Sequence, residues 1–296
     1  MADVTLDGDF AVAPDGTRFA KRFRSGVFTM GDTSIVDFVK ATPAAFADVP
    51  QSLVDVIEAV SQNEGRLEAV NTWDDSFMTF GAFQWTAGAS NQRGELGALL
   101  DRLKRESPDV FEQLFGQHGL DVRNVLAGPP ANEGVTPVGA LVLDGEPLDA
   151  ADKKERLRTL DWAYRFWLAG HDGTMRTVEV KQAMDRVSIF YRSSKHAING
   201  HLIADYVKSE VGVALLLDQH VNRPGHVPRT LAAAVQQVNA LADPAVWTDD
   251  HERDLLHTYI ELRAATSMTD SDKRAQNVLE AAARGLVSTR RGSFDA

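Results

Sequence analysis

At 296 residues, 44% hydrophobic and 25% charged, the chain has the composition of a folded globular protein, and no apolar run approaches the roughly 20 residues that cross a bilayer. Forty-two acids against thirty-one bases leave a net charge of -11, which opposes a phosphate backbone and sets nucleic acid aside as a partner. With no cysteine, disulfides, thiolate metal sites and a cysteine nucleophile are excluded.

The opening stretch MADVTLDGDFAVAPDG carries acids where a signal peptide carries a basic and then an apolar region, so no classical secretion signal is expected and synthesis in the cytoplasm is. Residues 1–32 mix Gly, Asp, Phe and Val with strand-like or irregular character and read as an N-terminal arm laid on the surface of one domain, 33–296. Pro50 followed by Leu53, Val56, Ile57 and Val60 predicts a helix with Gly65 as its stop. From Val70 to Trp85 the pattern changes to Thr, Trp, Phe and Met around Asp74-Asp75, which predicts a small β-hairpin lobe.

Helices are expected from Arg93 to Glu106 and again after Ser107-Pro108. Leu120 to Pro147, rich in Gly, Pro, Asn and Asp, reads as a long loop, with a candidate lobe boundary at 120–148. Asp149 is the expected N-cap of a helix through KKERLRTLDWAYRFWLAG, and amphipathic stretches follow near 174–196, 200–221, 229–241, 249–267 and 270–285. The expected fold is mainly α, in the α+β class, with a small β lobe and a larger helical lobe around a cleft.

On a helical wheel, Ile57, Val60 and Glu64 fall within about 40° of Leu53, while Glu58 lies about 140° away and is expected to face water. A carboxyl on the apolar stripe at the negative end of a helix is disfavoured in its charged form on both counts. Glycoside cleavage needs such a protonated acid, opposed by a carboxylate that activates water or stabilises the developing cation. Asp74 and Asp75 are the candidates for the second carboxylate, and Glu68 is the remaining local one.

The stretch NEGRLEAVNTWDDSFMTFGAFQWTAG resembles the catalytic segment of the lysozyme superfamily, which includes goose-type lysozymes, lytic transglycosylases and chitosanases. The resemblance implies a lysozyme-like two-lobed fold with Glu64 as general acid. Aligned on Gly81, the goose-type spacing puts the water-positioning aspartate at Asp75. The chitosanase spacing puts it at Asp74 and that family's catalytic threonine at Thr79. Downstream, VALLLDQHVNRPG and HTYIELRAATSMTDSDKRAQNVLEAAARGL resemble two chitosanase helices, implying that Asp218 and Arg263 form an ion pair behind the acid. The match covers roughly 50–90 and 200–290. It departs from the chitosanases where Trp73-Asp74-Asp75 replaces a Gly-Asp-Gly turn, and from the goose-type enzymes where Thr86 replaces a further aspartate.

Asn71 and Gln84 are candidates for hydrogen bonds to N-acetyl groups, and Trp73 for stacking on a sugar face. His251-Glu252 followed by His257 lacks the one-face spacing of a zinc helix, and neither a phosphate-cradling loop nor a nucleophile elbow occurs, so no metal or cofactor is expected. The expected activity is hydrolysis of β-1,4 linkages in peptidoglycan, with chitosan the alternative polymer. A non-catalytic glycan-binding or structural module of a phage or secretion apparatus is the reading from another class. A wall hydrolase without a leader implies delivery by phage or by an injection machine.

Overall fold

A computed structural model describes residues 3–238 and 243–295. Its elements run β1 (Thr5–Asp7), β2 (Phe10–Val12), β3 (Arg18–Phe23), β4 (Gly26–Thr29), α1 (Ile35–Ala41), α2 (Gln51–Ser61), β5 (Val70–Asn71), β6 (Thr79–Phe80) and β7 (Trp85–Thr86). There follow α3 (Glu95–Glu106), α4 (Pro108–Leu114), β8 (Leu120–Leu126), β9 (Val138–Leu143), β10 (Glu146–Pro147), α5 (Ala151–Lys154), α6 (Leu160–Ala169) and α7 (Gly173–Phe190). The chain closes with α8 (Ile203–Tyr206), α9 (Glu210–Asn222), α10 (Val227–Gln237), α11 (Asp249–Ala264) and α12 (Ser271–Ala283). This is a mixed α+β fold, and among the described residues no helix is long and apolar enough to cross a membrane.

The chain divides into two compact units, 1–41 with 64–127 and 136–182, and 42–63 with 128–135 and 183–296. The first holds every described strand: a seven-stranded antiparallel sheet in the order β1 to β7, and a three-stranded sheet in the order β10-β9-β8. The N-terminal residues are therefore not an arm. They supply four of the seven strands, and β4 pairs directly with β5 through Phe28↔Asn71 and Thr29↔Val70. The hairpins are built on local turn chemistry: between β3 and β4 only Arg24-Ser25 intervene, with Arg24 at φ 49.

The segment 120–147 is a loop only over 127–137, where two of the divisions between the units fall; on either side it forms β8, β9 and β10. Between β9 and β10 the connection is Asp144-Gly145 with φ values of 53 and 82, the left-handed pair that closes a two-residue hairpin, and β8 and β9 pair antiparallel. The helix expected to follow Asp149 is broken in two. Thr159 accepts the Trp162 amide proton and caps α6, while Asp149 bonds Lys153 and is not a cap. In this unit's core Phe166 meets Phe80 and Phe115 at ring distances of 5.4 and 5.0 Å.

The second unit is helical. Its centre is α9, whose residues Val211 to His220 are all buried, as an all-round apolar helix requires, with α2, α10, α11 and α12 packed on it. The stretches predicted near 174–196, 200–221, 229–241, 249–267 and 270–285 correspond to α7, α8 with α9, α10, α11 and α12; positions 239–241 lie outside the described residues.

Candidate functional site

The helix carrying the predicted acid ends sooner than its pattern implies. Ser61 is the last helical residue of α2, so Glu64 lies three positions beyond it, half-buried in a bend, and the wheel does not apply to it. Glu58, expected in water, is 6% exposed, because from Val56 to Ser61 the helix is buried on all sides. What holds the Glu64 segment is its flanks. Gly65 donates its amide proton to the Ala82 carbonyl at 2.9 Å, which ties the acid's chain to the turn between β6 and β7.

On the other flank, Asn63 belongs to a buried polar cluster in the second unit. Its Nδ2 donates to Asp218 Oδ1 at 2.9 Å and to the Arg274 carbonyl at 3.0 Å, while its Oδ1 accepts from Asn277 at 2.7 Å. Asp218 and Arg263, 0% exposed, are 2.8 Å apart, and Arg274 reaches the other Asp218 oxygen at 2.7 Å. Two cations on one buried carboxylate satisfy a charge that the apolar interior would otherwise expel. Of this cluster the sequence singles out Asp218 and Arg263; Arg274, Asn63 and Asn277 are additions that only the packing brings in.

Two site candidates meet on neighbouring strands of the β lobe. Asn71 and Thr79 are direct cross-strand partners, and Thr79 is in turn paired with Thr86, so the three share one face of the sheet while Val70, Phe80 and Trp85 share the other. Asn71 organises the turn that follows: its Oδ1 accepts from the Trp73 amide at 3.0 Å and its Nδ2 donates to Asp74 Oδ2 at 2.8 Å. Asp74 Oδ1 accepts from the Ser76 amide at 2.9 Å, whereas Asp75 is exposed and its carboxylate makes no hydrogen bond among the described residues. Thr79 is 3% exposed and its hydroxyl has no protein partner among the described residues. Gln84 stands exposed at the β6–β7 turn with φ 55 and donates to the Gly81 carbonyl at 2.9 Å.

Behind this turn lie two buried acids in opposite states. Glu68 accepts from the Asp32 and Thr33 amides at 3.1 and 3.0 Å and is ion-paired with Arg176. Burial pushes its carboxyl up, but the Thr33 hydrogen bonds and the Arg176 guanidinium outweigh burial and leave it below its ordinary value. Glu179, 1% exposed, accepts from the Ala82 amide with one oxygen and has no partner for the other among the described residues. Burial drives it well above the ordinary value, against that hydrogen bond, and the Glu68 charge adds to the rise. Split carboxyls of this kind suit acid–base chemistry, yet both are buried: Glu179 braces the β6–β7 turn through the Ala82 amide, and Glu68 fastens the Asp32–Thr33 segment to Arg176. Nothing in the local pattern around Glu179 marks it out.

No family model, no curated protein and no solved structure matches the chain.

Proposed function

We propose that the chain is a glycoside hydrolase of the lysozyme-like kind, cleaving β-1,4 linkages of an amino-sugar polymer, foremost peptidoglycan, with Glu64 as general acid. The observation that carries this reading is the joining of the Glu64–Gly65 segment to the same small β lobe that carries Asn71, Asp74 and Thr79. The Thr79 hydroxyl, buried and without a partner among the described residues, is the kind of group that an ordered water satisfies.

In the mechanism that these residues support, Glu64 gives its proton to the glycosidic oxygen as the bond to the anomeric carbon breaks. Asp74, held by Asn71 and the Ser76 amide, takes a proton from the water that attacks the opposite face, and Thr79 orients that water. Asp74 is preferred over Asp75 because its carboxylate is fixed and Asp75's is not. The Asp218–Arg263–Arg274 cluster holds the side chain of Asn63, the residue before Glu64 in the chain. Chitosan is the second substrate reading, favoured by the net charge of -11, which attracts a cationic polymer.

The test is turnover of purified murein and of chitosan by the chain and by Glu64→Gln, with circular dichroism to verify the fold. Loss of the general acid is expected to lower kcat by about 10²–10⁴-fold with the fold intact. Undiminished activity in a folded Glu64→Gln protein overturns the assignment.

A further inference from the structure

The β3–β4 hairpin leaves an aromatic patch open on the sheet. Phe23 is 41% exposed, and its ring meets Trp73 edge-on at 5.0 Å and Phe28 at 6.0 Å. Arg24, exposed at the hairpin tip, lies over both the Trp73 and Phe23 rings at 4.7 and 5.2 Å. Neither hydrophobic burial nor turn formation calls for this cluster: the turn needs a left-handed residue, which Arg24 tolerates poorly, and Phe23 leaves much of its ring in water.

The register ties this patch to the candidate site. Lys21↔Phe28, Phe28↔Asn71, Asn71↔Thr79 and Thr79↔Thr86 are successive cross-strand partners, so one lateral row on one face runs from β3 to β7. From β3 to β6 is three strand spacings, roughly 14 Å, a span that a few sugar units cover. Sugar rings present apolar C–H faces that pack on the negative faces of aromatic rings. Lys21 and Arg24 are exposed and make no ion pair among the described residues, so both cations are open to an anionic group.

Resting on the hydrolase reading above, we propose that Phe23, Phe28 and Trp73, with Arg24 and Lys21, form a docking subsite for an amino-sugar strand that bears carboxylates. The rings hold the sugar. The cations choose its substituents: they attract the carboxylates carried by murein and repel the ammonium groups of chitosan. The strands mistaken for an arm thereby become part of the substrate surface, and the polymer selected is peptidoglycan.

The experiment measures binding by calorimetry in a Glu64→Gln background, so that turnover does not intervene, using soluble murein strands, neutral chitin oligomers and chitosan as probes. Phe23→Ala is expected to weaken murein and chitin binding alike by about tenfold. Arg24→Asn, with a residue that tolerates the left-handed turn, is expected to weaken murein binding alone, and raised salt is expected to reproduce that loss in the parent. Equal affinities in parent and variants, tighter binding of chitosan than of murein, or no binding of any probe overturns the proposal. Because the readout is affinity, a chain that binds murein without cleaving it would fail the hydrolase reading and keep the subsite, while cleavage with unaltered binding in the variants would do the reverse.

Discussion

Glu179 and Glu68 are opposite cases of one linkage. A carboxyl raised in the folded state contributes stability that is fully present below its unfolded value of 4.5 and is lost as the pH rises through its folded value. Glu68, depressed in the folded state, contributes stability above 4.5 that is lost as the pH falls through its folded value. The pair therefore favours a mildly acidic optimum, and Glu179→Gln, which keeps an acceptor for the Ala82 amide and removes the ionisation, separates the two. Thermal melts are expected to show the variant gaining on the parent as the pH rises from 4.5 towards the folded value of Glu179; parallel melts would show that folding leaves the Glu179 carboxyl unshifted. Residues of this kind are the least legible in a sequence. Glu64, Asp74 and Thr79 are picked out by the spacing of one resembling segment, whereas Glu179 lies far outside that segment and is made special only by the backbone of Gly81 and Ala82. Glu58 shows the same limit from the other side: a helical wheel assumes one buried face, and the C-terminal half of α2 is buried all round.

The β6–β7 turn is the element that ties these groups together. Gly81 has φ 77, and a Cβ there would stand 2.3 Å from Glu179 Oε1, so both backbone and packing demand glycine. Gly81→Ala is expected to destabilise the fold by about 1–3 kcal/mol from the backbone conformation alone, with more from the clash. In a double-mutant cycle with Glu179→Ala, measured by urea unfolding, the clash contribution is expected to vanish and the backbone cost to remain; strict additivity would show that the carboxyl moves aside freely. At this scale the sequence is legible wherever a period or a turn pair is strong. Most helices from α3 onward lie where the sequence pattern puts them, the break between α5 and α6 being the exception, and Asp144-Gly145 between Leu143 and Glu146 is a hairpin signal that composition conceals, because the same Gly, Pro, Asn and Asp residues that end strands also fill loops. Strands of two or three residues, such as β1, β5 and β6, are too short to show a period and become visible only through their partners.

Across the whole molecule the two compact units are interleaved along the chain, each assembled from three separate segments. Such units have no single linker to cut, so neither corresponds to a continuous stretch able to fold alone. The N-terminus gives the sharpest consequence. An arm is dispensable, but β1 to β4 are four strands of a seven-stranded sheet whose next member, β5, carries Asn71. Deleting residues 1–32 would leave the β5 edge unpaired, its backbone donors and acceptors open to other chains, and would strip Val27 and Phe19 from the core. Truncation is therefore expected to lower Tm and soluble yield together and to abolish the proposed murein turnover even though Glu64, Asp74 and Thr79 remain. A truncated chain that melts with the parent and keeps its activity would restore the arm, and would separate the substrate surface from the strands that this sheet places beside it.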